Sequence, residues 1–115
     1  LRDARPVLYH RPFNEEEDAM VGIVATIRVQ DGKGPDFEAV FLRLVAKVRE
    51  NEPGALLYQL TRSRTEANTY KVLEIYKDEE SLAHHGGTDY FREIGREMGP
   101  FMAGRPDIER LDVVG

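Results

Sequence analysis

Cysteine is absent from the 115 residues. That removes disulfides, thiolate nucleophiles and cysteine-ligated zinc or iron–sulfur centres from consideration. Basic residues are outnumbered, 16 Lys and Arg against 21 Asp and Glu, for a formal net charge of -5. A nucleic-acid groove needs a dense basic stripe, so no nucleic-acid partner is expected. No apolar run approaches the roughly 20 residues of a membrane span, and no signal-peptide pattern opens the chain, so a cytoplasmic protein with no membrane partner is expected. Histidine is scarce too: the three His residues show neither HxxxH nor HExxH spacing, and no metal site is expected.

What remains is a composition of 41% hydrophobic and 32% charged residues, that of one small globular domain. A domain of this size buries only about two-thirds of its unfolded surface, so leftover apolar faces tend to find a partner chain. Residues 1–19 read differently from the rest. They hold Pro6, Pro12 and the acidic run Glu15-Glu16-Glu17-Asp18, and are expected to be an N-terminal extension or an added leader. Val7, Leu8, Tyr9 and Phe13 offer an arm that would dock on a neighbouring subunit. The domain is expected to occupy residues 20–115.

Val21 to Gln30 alternates, with Val21, Ile23, Ala25, Ile27 and Val29 on one face, as a half-buried strand does. The Asp31-Gly32-Lys33-Gly34 stretch is a turn, since it lacks the Lys-Ser/Thr ending of a phosphate loop. Pro35 opens a helix with Asp36 and Glu38 at its positive dipole end. Phe37, Val40, Phe41, Leu44, Val45 and Val48 make its apolar stripe, and Asn51-Glu52-Pro53-Gly54 stops it.

Ala55 to Arg62 and Tyr70 to Lys77 are the second and third strands, joined by a polar loop. A hairpin symmetric about Glu66 sets Tyr58 opposite Glu74, Leu60 opposite Val72 and Leu56 opposite Tyr76. Leu73 and Ile75 point to the other face, so both faces of the sheet require cover. The chain's own helices supply one side and a second subunit the other, which predicts a homodimer. Asp78 caps a helix with Glu79 and Glu80 in its first turn, and Gly86-Gly87 ends it. Thr88 restarts a helix carrying Tyr90, Phe91, Ile94 and Met98, which Gly99-Pro100 kinks or ends. Ile108 to Val114 closes the fold as a last strand. The order is βαββαβ, an α+β ferredoxin-like fold on an antiparallel sheet.

The residues most able to carry chemistry cluster between positions 70 and 91. Glu74 is an acid within an apolar strand. His84 and His85 are neighbours whose side chains diverge by about 100°, so only one can serve a site. Leu82 facing inward implies His85 near the sheet, with His84 exposed. A pocket between sheet and helices would then be bounded by Tyr58, Glu74, Tyr76, His85, Tyr90 and Phe91, with Phe37 and Phe41 as an apolar lid. Plain structural roles compete with each of these. A His at a helix end often decorates the surface, Glu74 would pair with Arg28 or Arg62, and the tyrosines would be core residues with wet hydroxyls.

From Met20 onward the sequence resembles the antibiotic biosynthesis monooxygenase family of dimeric α+β barrel proteins. The matching residues are Pro53-Gly54-Ala55-Leu56-Leu57-Tyr58, Glu74-Ile75-Tyr76, Asp78-Glu79-Glu80-Ser81-Leu82, His85 and Phe91. Tyr76 stands where the family commonly has tryptophan, and Tyr90 where it has a second histidine. The resemblance implies a cofactor-free oxygenase that deprotonates a small quinol- or anthrone-like aromatic and lets its anion react with oxygen. His85 would be the base, its ordinary pKa of about 6.5 suiting it near neutrality. Glu74 would orient a substrate hydroxyl or the imidazole. Tyr58, Tyr76 and Tyr90 would donate hydrogen bonds, and Phe91, Phe37 and Phe41 would line the pocket. A different class of reading is a non-catalytic dimeric module that binds a small ligand or regulates a partner. Haem-degrading and isomerase relatives also belong to the family, and the former would use His85 as an axial ligand.

Overall fold

The computed structural model describes residues 18–115. Expectations about the earlier segment, the docking arm included, lie outside the described residues. A single four-stranded antiparallel sheet carries the fold in the order β2-β3-β1-β4. Its strands are β1 (Val21–Arg28), β2 (Ala55–Arg62), β3 (Thr69–Tyr76) and β4 (Asp107–Asp112). From β1 onward the helices are α1 (Gly34–Asn51), α2 (Glu79–Gly86) and α3 (Asp89–Met98), and a short 3-10 turn at Gly99–Phe101 follows α3. This is the ferredoxin-like α+β arrangement. No helix among the described residues is long and apolar enough to cross a membrane.

The core lies on one sheet face. Ile23, Ala25 and Ile27 of β1 are buried there, as are Phe37, Phe41, Leu44, Val45 and Val48 of α1. The three- and four-residue recurrence of those α1 side chains turns a single stripe toward the strands. Full burial of each contributes about 1.5–3 kcal/mol. Ile94 and Met98 of α3 complete the layer.

Helix starts follow local chemistry. The Asp78 carboxylate accepts the Ser81 N–H at 2.8 Å, and the Thr88 hydroxyl accepts the Phe91 N–H at 3.3 Å, so both short helices have side-chain caps. The Gly99-Pro100 pair ends α3 by tightening into the 3-10 turn.

The β2–β3 hairpin pairs Tyr58 with Glu74 and Leu60 with Val72. Near its open end the register differs from simple symmetry: Ala55, not Leu56, lies opposite Tyr76, and a bulge falls between Ala55 and Leu57. Leu56 is the extra residue, and it is left 54% exposed. Gly54 stands just before this irregularity, where an added Cβ would meet the Ser81 Oγ at 2.2 Å. The start of α2 can therefore pack directly on the β2 entrance only because position 54 has no side chain. The last strand runs Asp107–Asp112 rather than to Val114.

Candidate active site

Between the inner sheet face and the helices lies a cleft of about 510 Å³. Ile23, Ala25, Val72, Phe41, Leu44 and Met98 make its walls predominantly apolar, and Tyr58, Glu74, His85 and Arg110 bring polar groups to it. A larger hollow of about 610 Å³ is lined by Ala19, Met20, Val21, Glu79 and β4 residues, and it contains none of Tyr58, Glu74 or His85. We take the apolar cleft as the site, because its few polar groups converge and can exclude water from a bound aromatic.

His85 sits in the last turn of α2 and is buried. Its ring packs against Tyr58, Tyr76 and Phe91, with centroids 5.0, 5.5 and 4.8 Å away. Its Nδ1 lies 3.0 Å from the Glu52 Oε1 and 3.2 Å from Oε2. A carboxylate only accepts, so Nδ1 carries the proton and the neutral ring has its lone pair on Nε2. Glu52 is not among the cleft-lining residues whereas His85 is, so the imidazole has its Nδ1 edge turned to the protein interior. Burial pushes the His85 pKa below its ordinary value, with the Glu52 carboxylate opposing that shift. The ring is thus held neutral near pH 7, with the Nε2 lone pair free to accept a proton.

In the sequence Glu52 stands out only as part of the Asn51-Glu52-Pro53-Gly54 stop of α1. It follows the last residue of that helix and precedes Pro53, which disfavours helical backbone, and it adopts φ -122 and ψ 84. The turn buries its side chain, where the Tyr90 hydroxyl donates to Oε2. One carboxylate therefore ties together the ends of α1, α2 and α3. A signal was present in the sequence: an acid at a helix C-terminus opposes the macrodipole and calls for a compensating partner.

Glu74 faces the cleft from β3 and is 8% exposed. The Tyr76 hydroxyl donates to its Oε1 at 2.6 Å. Burial raises the Glu74 pKa to about 7, the Tyr76 bond opposes this, and the charge of Glu52 adds to it. The expected pairing with Arg28 or Arg62 does not occur, because those arginines bond Asp107 and Glu38 instead. Burial also raises the Tyr58 and Tyr76 hydroxyls far above the ordinary phenol value, with Glu74 contributing in both cases. Both phenols are hydrogen-bond donors rather than bases.

Of the other candidates, Phe41 and Phe91 line the cleft. Tyr76 and Tyr90 stand behind it, the first bonded to Glu74 and the second to Glu52. Burial and Glu52 push the Tyr90 hydroxyl up to about 12. Phe37 is fully buried against Phe41 and Tyr70, at ring distances of 5.6 and 4.8 Å, and belongs to the core below the cleft instead of its lid. No group of three or more His, Asp or Glu side chains able to hold a metal ion occurs among the described residues.

Comparison with known proteins agrees with this architecture. A protein of Caulobacter crescentus, provisionally named an antibiotic biosynthesis monooxygenase, is 58% identical, with a TM-score of 0.84 over 87% of this chain and 94% of that one. A conserved protein of Methanosarcina mazei shares the fold at 23% identity, with a TM-score of 0.76 over 83% of this chain and 93% of its own. An uncharacterized protein of Synechocystis is 27% identical over 89 residues, 77% of this chain but only 59% of that protein. Residues 20–97 match the profile of the Antibiotic biosynthesis monooxygenase family, and the chain belongs to that family.

Proposed function

We propose that this protein is a cofactor-independent monooxygenase that oxidises a small, electron-rich aromatic of the hydroquinone or anthrone type with molecular oxygen. The observation that carries the reading is the buried Glu52–His85 pair, in which Glu52 takes the Nδ1 side of a ring that lines an apolar cleft and leaves Nε2 free as the base. A base oriented by a carboxylate and kept neutral by burial is suited to take a proton from a weak carbon or phenol acid.

An anthrone presents a methylene carbon whose protons are weakly acidic. Nε2 of His85 takes a proton from the methylene carbon, and the resulting anion gives one electron to O2. The radical pair combines to form a carbon–oxygen bond, and His85 returns its proton to the peroxide. Loss of the second methylene proton breaks the O–O bond, leaving a carbonyl and one molecule of water. Tyr58 and protonated Glu74 donate hydrogen bonds to the substrate oxygen as negative charge develops there. The apolar walls limit water, which would otherwise quench the carbanion.

The same reading includes a homodimer, paired as an α+β barrel through the outer sheet faces. Leu57, Leu73 and Leu111 are 38%, 36% and 42% exposed on that face, and a second copy would cover them. The test of function is oxygen uptake by purified protein mixed with anthrones and hydroquinones in air. Uptake of one O2 per substrate, with one labelled oxygen from 18O2 retained in the product, is expected. No uptake across the panel would leave a ligand-binding module as the better description.

A further inference from the structure

Arg110 lies on the inner face of β4, opposite Ile23 of β1, and Ile23 in turn lies opposite Glu74 of β3. Tyr58, Glu74, Ile23 and Arg110 therefore form one row across the sheet, and all four line the cleft. Among the described cleft-lining residues, Arg110 is the only one with a permanent positive charge. Its neighbour on the inner face, Ile108, is 59% exposed, so the cleft opens along β4. The Arg110 side chain is itself half-exposed, and its Nη2 donates to Glu79 of α2 at 2.5 Å. That bond uses one of the five donors of a guanidinium.

We infer that Arg110 selects the substrate: the molecule carries an anionic group, a carboxylate, at the end remote from its reacting carbon, and Arg110 receives it at the cleft mouth. The inference rests on the cleft being the substrate site. Two features favour it. A lone cation beside predominantly apolar walls offers an anion its one favourable place in the cleft, and a planar fork matches a carboxylate in geometry. The spacing also fits: Glu74 and Arg110 are two strands apart, about 10 Å, which is the length of a two- or three-ring aromatic. Arg110 borders both this cleft and the neighbouring hollow that Glu79 lines, so its bond to Glu79 competes with the incoming anion and sets affinity without touching the reacting atoms.

The test is calorimetric binding of anthraquinone-2-carboxylate against 2-hydroxymethylanthraquinone, a neutral analogue of similar size, neither of which can be turned over. The wild-type protein should bind the carboxylate tighter by at least about tenfold, the worth of a charge-assisted bond. Arg110→Gln should abolish that preference with unchanged affinity for the neutral compound, Arg110→Lys should retain part of it, and Glu79→Gln should strengthen it. Equal binding of the two probes, binding of neither at millimolar concentration, or a preference that survives Arg110→Gln overturns the inference. A preference for the carboxylate without oxygen uptake on any substrate would leave the role of Arg110 standing and defeat the oxygenase reading alone. Uptake with no preference would do the reverse.

Discussion

Nδ1 of His85 lies 3.0 Å from Glu52, a residue 33 positions earlier in the chain, and both side chains are nearly inaccessible, at 6% and 2% exposure. Burying such a pair is costly unless its polar atoms are satisfied, and here they are: Tyr90 donates to the second carboxylate oxygen. A pair of this kind fixes a tautomer and a ring orientation, which a general base requires.

Replacing His85 tests the base. His85→Gln keeps a polar side chain near Glu52 and should preserve the circular dichroism spectrum. Oxidation of any substrate found should fall by roughly 10²–10⁴-fold, the usual worth of a positioned base. Full activity in this variant would remove His85 from the mechanism.

Glu52→Gln tests positioning. Loss of the carboxylate should lower kcat by about 10–100-fold, as loss of a residue that orients a functional histidine commonly does. It should also move the acid limb of the pH–rate profile to lower pH. The sign follows from Glu52 raising the His85 pKa against the effect of burial. A purely structural role would reduce the amount of folded protein but leave the limb in place.

Glu74 makes stability depend on pH. Its pKa is raised from 4.5 to about 7 in the folded protein. A raised carboxyl contributes stability that is complete below the unfolded value and lost as pH climbs through the folded one. Between pH 4.5 and 7 the folded state should therefore lose up to about 3 kcal/mol through this group. His85, whose pKa is lowered, acts in the opposite sense, losing stability as pH falls from its unfolded value. Comparing Glu74→Gln with wild type isolates the first effect. Urea unfolding should find the variant relatively more stable at pH 8 than at pH 5, and parallel curves for the two proteins would contradict this.

The outer sheet face predicts association. Light scattering at micromolar concentration should give twice the chain mass, and an interface of this kind should bury more than about 2,000 Å² in total. Leu73→Lys places like charges near the centre of that face and should shift the protein toward monomer. A stable wild-type monomer would sink the proposed dimer.

The order of elements was legible in the sequence because its causes are local. Period-two apolar residues from Val21, the α1 stripe ending at Val48 and the acidic start at Asp78 each act within one element. The hairpin register at Tyr58 and Glu74 was legible too, since loop length and face parity set it. The bulge at Leu56 was not, because it is tied to close packing of Gly54 on Ser81, a contact between elements.

Sequence alone determined that Glu74 would share a face with Tyr58 for the symmetric hairpin, and that His85 would lie near the sheet once Leu82 faced inward, since strand alternation and helical spacing act within single elements. Only the tertiary structure decided what those residues meet. Glu52 turns inward because α1 stops at Pro53 just where α2 and α3 pass over it. Phe37 sinks into the core against Tyr70 while Phe41, one turn on in the same stripe, reaches the cleft, since what each meets depends on the strands packed beneath it. Arg110 joins the site from the last strand since β4 pairs beside β1, and strand order is a property of the assembled sheet rather than of any segment within it.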